Sequence, residues 1–152
     1  MAYTLAAFVI MSSAADEAVK SFSSAVVVPL DQGLSLIPLT EAFTVALKAQ
    51  YGAGLDIVFE DLSSLAGSAA HWAAQASHTS PVAFLEAEFF GGWGSQAGIG
   101  WQTGQIVFGP LEANHAINEA LRWLGAKPDE GMDEFDTLRL GRYRATEEWA
   151  GG

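Results

Sequence analysis

Two glutamates, Glu86 and Glu88, are the pair of side chains with the clearest chemical potential in the sequence. They stand two residues apart in Val82–Phe90, a run whose alternating residue types predict a β-strand. Alternate residues share one face of a strand, so we expect the two residues roughly 6–7 Å apart on one side of a sheet. Paired carboxylates act in retaining glycosidases at a separation of about 5–5.5 Å, and they also bind metal ions. Because acids are ordinary on the solvated face of an antiparallel sheet, we favour a structural role, with a small hydrolase or metal-dependent enzyme as the alternative.

The other groups that could support catalysis are few. The sequence has no cysteine, which excludes a thiolate nucleophile and a cysteine metal site. Its three histidines, His71, His78 and His115, do not have the His-x-x-x-His spacing of a zinc-binding helix. No serine lies in a Gly-x-Ser-x-Gly motif. We therefore expect no metal, no cofactor and no catalytic residue, and we favour a non-enzymatic protein.

The glycine-rich stretch GGWGSQAG, which begins at Gly91, resembles a phosphate-binding loop only in composition. It lacks the Gly-Lys-Ser/Thr ending of such loops, and a strand rather than a helix is predicted after it. Without a helix N-terminus an anion would lack its main hydrogen-bond donors. The sequence instead predicts a turn over 91–96 that carries Trp93 and Gln96 near its tip. An exposed Trp93 would be an interaction anchor, but we expect this side chain to be buried because of its large apolar area.

Three arginines near the carboxyl end, Arg139, Arg142 and Arg144, form a cationic group. Such a group could bind an anion or the carboxylates of a partner. In a chain with a large excess of acids, pairing within the molecule is the simpler interpretation. The acidic residues near them are Asp133, Glu134, Asp136, Glu147 and Glu148.

The net charge of −11 over 152 residues restricts the possible partners. Nucleic-acid binding depends on Lys and Arg that neutralise phosphates, so we expect no nucleic acid, and an anionic membrane surface is disfavoured for the same reason. A basic protein would be attracted. The absence of cysteine agrees with a cytoplasmic location. The apolar run Leu5–Met11 is short and no Lys or Arg precedes it, which favours a buried first strand over a signal peptide.

The apolar pattern predicts one α+β domain over residues 1–152, with a mainly antiparallel sheet and helices packed on it. The predicted strands are Tyr3–Met11, Val82–Phe90, Ala97–Gln102 and Gln105–Gly109, with a short hairpin between Val26–Val28 and Leu34–Ile37. The predicted helices run from Ser12 to about Ser24, from a cap at Thr40 to a stop at Gly52, over Leu62–Ser77 with a cap at Asp61, and over Glu112–Leu124.

A two-residue turn at Thr103 and Gly104 sets the register of the last predicted hairpin by pairing Gln102 with Gln105. The residues that this register places on one face are Ile99, Trp101, Ile106 and Phe108. The other face carries the bare glycines Gly98 and Gly100. Since strand glycines often mark a close neighbour, we predict that a helix packs there rather than a ligand, and that this helix is Leu62–Ser77.

Three stretches carry a resemblance to known proteins: AEFFGGWGSQAGIGW, INEALRWLG and DEFDTLRLGRYRATEEW. Together they resemble a group of small, uncharacterised bacterial proteins with a GGxGxQ turn and a carboxyl-terminal arginine and tryptophan segment. Their size and acidity are similar to those of immunity proteins, which bind and neutralise bacterial toxins. The resemblance implies a protein that binds a basic toxin. The contact residues would then be Glu86, Glu88, Trp93, Gln96, Arg139, Arg142 and Arg144. A structural module that forms a homodimer through exposed tryptophans is a further alternative.

Overall fold

The computed structural model describes residues 2–151, and its centre is one six-stranded antiparallel sheet. The strands are β1 Ala2–Met11, β2 Val28–Pro29, β3 Leu34–Pro38, β4 Val82–Phe90, β5 Trp93–Gln102 and β6 Gln105–Glu112. Their order in the sheet is β2-β3-β1-β4-β5-β6. The predicted α+β class with a mainly antiparallel sheet is confirmed.

The first strand, β1, has an almost continuous apolar sequence, and such a sequence is typical of a strand that is covered on both faces. It pairs with β3 on one side and with β4 on the other. Phe8 and Ile10 pack into the core on one face, and Leu5, Ala7 and Val9 pack into the core on the other. The prediction of a buried strand at the amino end is therefore confirmed.

Helices cover both faces of the sheet. Helices α1 Ser12–Val19, α2 Glu41–Tyr51 and α3 Gly67–Ala76 lie on one face, which we call the first face. Helices α4 Ala116–Trp123 and α5 Glu134–Thr137 lie on the second face, with short 3₁₀ turns at Leu140–Arg142 and Thr146–Ala150. No helix within residues 2–151 is long and apolar enough to cross a membrane.

The carboxyl-terminal segment completes the edge of β1 that β3 leaves open, since β3 pairs with β1 only from Ala7 onward. The Thr4 N–H donates to the Arg144 carbonyl at 2.9 Å. The Ala6 N–H donates to the Thr146 hydroxyl, also at 2.9 Å. These two hydrogen bonds join β1 to a segment that lies about 140 residues further along the sequence.

The extents of the helices differ from the predicted ones. Thr40 caps α2 as expected, because its hydroxyl accepts a hydrogen bond from the Phe43 N–H at 3.1 Å. The long helix predicted from Leu62 is wrong, since α3 begins only at Gly67. Its first N–H is satisfied by the Asp56 carboxylate at 2.9 Å, not by Asp61. A Cβ at Gly67 would collide with the Gly54 backbone, so the start of α3 is fixed by a contact between two chain segments. Helix α1 also ends earlier than predicted, at Val19.

A β-bulge changes the predicted register of the last hairpin. Gln102 pairs with Gln105 and Trp101 with Ile106 as predicted, but Gly100 pairs with Phe108 instead of Val107. The extra residue reverses the alternation, so that Phe108 packs on the second face against Trp123.

The glycine face of β5 packs against a helix, as predicted, but the helix is α4 and not the alanine-rich α3. A Cβ at Gly98 would lie 3.0 Å from the Ala120 Cβ. A Cβ at Gly100 would lie 2.6 Å from the Trp123 ring. Helix α3 lies on the opposite face, where its side chains meet Ile99 and Trp101 in one core.

Candidate functional site

The turn between β4 and β5 is shorter than predicted and consists of Gly91 and Gly92. Both adopt positive φ, +59° and +122°, a conformation that suits a two-residue hairpin turn. The predicted turn over 91–96 is therefore wrong beyond Gly92, because Trp93 already belongs to β5 and pairs with Phe90. The two strands project as a hairpin whose tip has no neighbours, since a Cβ at either glycine would meet no heavy atom within 4 Å.

Two large aromatic side chains are exposed at this tip. Trp93 is 84% exposed and Phe90 is 55% exposed, and they stand opposite each other on the first face. We call them the aromatic pair. The expectation that Trp93 is buried is wrong, because no other part of the described chain covers this side chain. Phe90 was not singled out from the sequence, although it follows the same alternation as Glu86 and Glu88.

The two glutamates of the same face have different surroundings. Glu88 is half-buried, next to Thr4 of β1 and Ser95 of β5 in the register. Glu86 is only 7% exposed, so the expectation of a solvated pair is wrong for this residue. An irregular segment, 53–66, passes over this part of the sheet: Glu86 receives a hydrogen bond from the Ser63 backbone.

Burial changes the ionisation of Glu86. Loss of water around the carboxyl raises its pKa from 4.5 to about 7. The hydrogen bond from the Ser63 backbone partly offsets this effect, while the charges of Glu88 and Glu112 add to it. The Glu112 carboxylate also fastens the covering segment, because it accepts the Glu60 and Asp61 N–H groups at 2.6 and 2.7 Å. The prediction that Glu112 begins a helix and Asp61 caps one is wrong.

The two glutamates differ in their access to solvent. Glu86 lies beneath the covering segment, whereas Glu88 is partly open to solvent. Residues 2–151 contain no group of three or more His, Cys, Asp and Glu side chains that could hold a metal ion. The histidines are dispersed: His71 packs on Tyr51, His78 lies against Gly104, and His115 precedes α4.

Beside the hairpin tip lies a polar groove, which we call the edge groove. Its volume is about 230 Å³. It is lined by Asp61, Gly94, Ser95, Gln96, Glu112, Ala113 and Asn114. Two carboxylates on different segments, Asp61 and Glu112, thus border the same groove. Neither carboxylate was proposed as a binding residue from the sequence, because only the folding of segment 53–66 brings them together.

Gln96 has a structural role instead of standing at the hairpin tip. Its side-chain oxygen accepts the Ile117 N–H of α4 at 2.8 Å, and its carbonyl accepts the Ala113 N–H at 3.2 Å. Both bonds fasten the start of α4 to β5. The prediction of Gln96 as a freely displayed side chain is therefore wrong, although it lines the edge groove.

The carboxyl-terminal arginines do not form the expected ion pairs. The ion pairs within residues 2–151 are Lys20–Glu17 and Arg122–Glu134. Arg142 donates to the carbonyls of Arg139 and Leu138 and lies 5.1 Å above the Trp149 ring, so it holds the tail in place. Arg139 and Arg144 are exposed.

The partner of Glu134 is Arg122, which the sequence did not indicate. The guanidinium of Arg122 donates to both carboxylate oxygens at 2.8 and 3.3 Å, and Glu134 is almost fully buried. This bidentate pair raises the pKa of Arg122, chiefly through the hydrogen bond to Glu134. It joins α4 to α5, so its role is to hold the second face together.

Comparison with known proteins gives no relative for this chain: no protein-family model, no curated protein and no solved structure matches it. What the structure brings together at one end of the sheet is the aromatic pair, Glu88 and the two carboxylates of the edge groove.

Proposed function

We propose that this chain is an acidic, non-enzymatic protein-binding domain that contacts its partner through the aromatic pair and the carboxylates near it. The observation that carries this proposal is the exposure of Trp93 and Phe90 side by side at a hairpin tip. Tryptophan contributes strongly to the affinity of protein interfaces, because burying one side chain removes a large apolar area from water.

The charge of the molecule favours a basic partner. The net charge is −11, and Glu88, Asp61 and Glu112 are carboxylates near or beside the hairpin tip. Such a surface steers a cationic protein and speeds its association, and it repels nucleic acid and anionic membranes. We place this activity in the cytoplasm, in keeping with the absence of cysteine.

Immunity to a basic bacterial toxin is the specific form of binding that we propose. Its support is the resemblance of the GGxGxQ turn and the carboxyl-terminal segment to small bacterial proteins, together with the acidity of the chain. In this form the complex would block a basic surface of the toxin. The exposed Arg139 and Arg144 would be secondary contacts at most, because they add positive charge to the interface.

Two alternatives follow from the same residues. A hydrolase that uses Glu86 and Glu88 receives little support, since Glu86 is covered by another segment. A homodimer through the aromatic pair would bring two acidic surfaces together, and this repulsion disfavours it. Sedimentation of the purified chain distinguishes the homodimer: a dimer in wild type that becomes a monomer in Trp93→Ser would replace our proposal.

Affinity capture from a lysate of the encoding organism tests the proposal directly. Wild-type chain is compared with the double variant Phe90→Ser/Trp93→Ser and with Val45→Ser, which removes an exposed apolar side chain from α2. We expect a basic protein that binds wild type and Val45→Ser, fails to bind the double variant and dissociates at high salt. Equal capture by all three chains, or an acidic partner insensitive to salt, would contradict the proposal.

The toxin-immunity form has its own test. A toxin-like reading frame next to the gene would be expressed with wild-type chain or with the double variant, and growth of the host cells measured. We expect growth only with wild type. Growth with both chains would show that the aromatic pair is dispensable for immunity.

A further inference from the structure

Part of β5 lacks a neighbouring strand along one edge, although β5 lies inside the sheet. β6 ends at Glu112, which pairs with Ala97, whereas β5 extends from Ala97 back to Trp93. After Ala113 the chain leaves the sheet and turns toward α4. Residues 93–96 of β5 therefore have β4 along one edge and the edge groove along the opposite edge.

The backbone of Gly94 points toward this open edge. Residues along an antiparallel strand direct their N–H and C=O groups alternately to the two neighbouring strands. Gln102 faces β6 at the two-residue turn, so every second residue from it, down to Gln96 and Gly94, faces the same way. The Gln96 carbonyl, which accepts the Ala113 N–H, has this orientation. Gly94 is exposed and presents both of its backbone groups to the edge groove.

The outer edge of β6 is less suited to pairing with an added strand than the open edge of β5. β6 contains two register shifts and Pro110, features that prevent another strand from pairing with an edge. The open edge of β5 at Gly94 carries neither a proline nor a bulge, since Phe90–Trp93 through Ala83–Gly100 pair in continuous register with β4.

We propose that the edge groove binds an extended, basic segment of the partner, which adds a short strand to β5 at Gly94. This inference rests on the proposed function and specifies how the partner is bound. Strand addition is a common mode of peptide recognition, in which backbone hydrogen bonds give affinity and alternate side chains give specificity.

Charge determines which side chains the segment should carry. Alternate residues of an extended segment face the same side of the sheet. Glu112 and segment 53–66, with Asp61, lie on the first face, together with the aromatic pair. We therefore expect Lys or Arg at every second position of the segment, facing Asp61 and Glu112 on the first face.

The probe for this inference is a short capped peptide of alternating lysine and valine, added to the 152-residue chain. Amide hydrogen exchange is followed by NMR. We expect exchange at Gly94 to slow about tenfold when free peptide is at ten times its Kd, with the amides of β6 unchanged. No slowing at Gly94 up to the solubility limit of the peptide, or slowing on β6 instead, overturns the inference.

Two N-methylated peptides of identical composition test the backbone hydrogen bonds. One peptide is methylated on the backbone nitrogens of its lysines, and the other on the backbone nitrogens of its valines. Because backbone N–H groups point alternately to the two edges of an extended peptide, each peptide has a different edge blocked. We expect one of them to lose binding and the other to retain it. Equal binding of both would mean that side chains alone hold the peptide, which overturns strand addition.

Charge recognition is tested with the variant Asp61→Asn and with a peptide of alternating glutamate and valine. We expect Asp61→Asn to bind the lysine peptide several-fold more weakly and the glutamate peptide not to bind. If Phe90→Ser/Trp93→Ser loses the captured partner but Gly94 is never protected, the proposed function stands and strand addition fails. If the lysine peptide protects Gly94 but no captured partner depends on the aromatic pair, strand addition stands and the proposed function fails.

Discussion

The two turns that flank β5 are built alike but are held very differently. At the turn between β5 and β6, Ser77 accepts the Thr103 N–H through its carbonyl at 3.0 Å and the Gly104 N–H through its hydroxyl at 2.8 Å. The turn between β4 and β5 has no such partners, and the aromatic pair beside it is exposed. We call the first the anchored end of β5 and the second the open end.

The difference shows how one strand can be packed at one end and expose its side chains at the other. Trp101 at the anchored end and Trp93 at the open end lie on the same strand and the same face. Trp101 is 2% exposed and Trp93 is 84% exposed. A rigid element that is packed at one end can present side chains at the other without loss of position, which is the arrangement expected of a binding surface.

The largest expected difference is between the two tryptophans. Trp101→Ala should destabilise the fold by about 3–5 kcal/mol, because it leaves a cavity in the core. Trp93→Ala should change the free energy of unfolding by less than about 0.5 kcal/mol, since the side chain is already in water. Urea unfolding of both variants measures this. Similar losses in both would mean that the open end contributes to stability as much as the anchored end.

Glu86 pairs with Ala97, which lies halfway between Trp93 and Trp101 on β5. We therefore expect the boundary between the covered and the exposed part of the first face at Glu86, and the pH dependence of stability tests whether this carboxyl is covered. Its pKa is raised from 4.5 to about 7 in the folded protein, so the unfolded chain gives up the proton more readily. The stabilising effect of the protonated group is complete below pH 4.5 and is lost as the pH rises through about 7. Above that pH, Glu86→Gln should be more stable than wild type by on the order of 2–3 kcal/mol, and near pH 4.5 the two should be similar.

The matched control is Glu88→Gln, which changes a half-buried acid two residues away on the same face. We expect it to change the free energy of unfolding much less than Glu86→Gln does above pH 7, because the Glu88 side chain is only half-buried. Thermal unfolding of the three proteins over a pH series gives the comparison. A wild-type stability that does not fall between pH 4.5 and 7 relative to Glu86→Gln would show that segment 53–66 does not exclude water from Glu86.

A smaller effect is expected from the hydroxyl that holds the anchored turn. Ser77→Ala leaves the Gly104 N–H without its partner and should cost about 1–2 kcal/mol. Ser95→Ala, at the open end, should cost less than about 0.5 kcal/mol. Chemical denaturation again measures both. A larger cost at Ser95 than at Ser77 would reverse the assignment of the two ends.

The smallest effect is expected at the open turn itself. Inserting a Gly-Ser pair between Gly91 and Gly92 should cost under about 1 kcal/mol, because lengthening an unrestrained loop costs little entropy. The same insertion between Thr103 and Gly104 should cost more, since it displaces the N–H groups that Ser77 binds. The melting temperatures of the two insertion variants provide the test.

Local sequence was sufficient to predict three features: β1 from its apolar run, β4 from its alternation, and the turn after Gln102 from the Thr103-Gly104 pair. The bulge at Val107 was not predictable, since Ile106, Val107 and Phe108 are all apolar and suit either register. The start of α3 also escaped prediction, because it is set by a contact between Gly54 and Gly67 rather than by periodicity.

The candidate site was predicted less well than the fold. Trp93 and Glu88 were singled out, but the exposure of Trp93 depends on which segments cover the first face, and alternation along β5 does not reveal this. The burial of Glu86 depends on segment 53–66, which has little regular structure and so gives no periodic signal. Asp61 and Glu112 meet only in the folded chain, and acidic residues are too common in this sequence to mark a site by themselves.

The hydrogen bond between the Thr4 N–H and the Arg144 carbonyl has a consequence during synthesis. At roughly 5–20 residues per second, Arg144 is made on the order of 10 s after Thr4. During synthesis, part of the β1 backbone must therefore stay unpaired until Arg144 has been added. A nascent chain that stalls before Arg144 would expose that edge, which makes such fragments candidates for chaperone capture or aggregation.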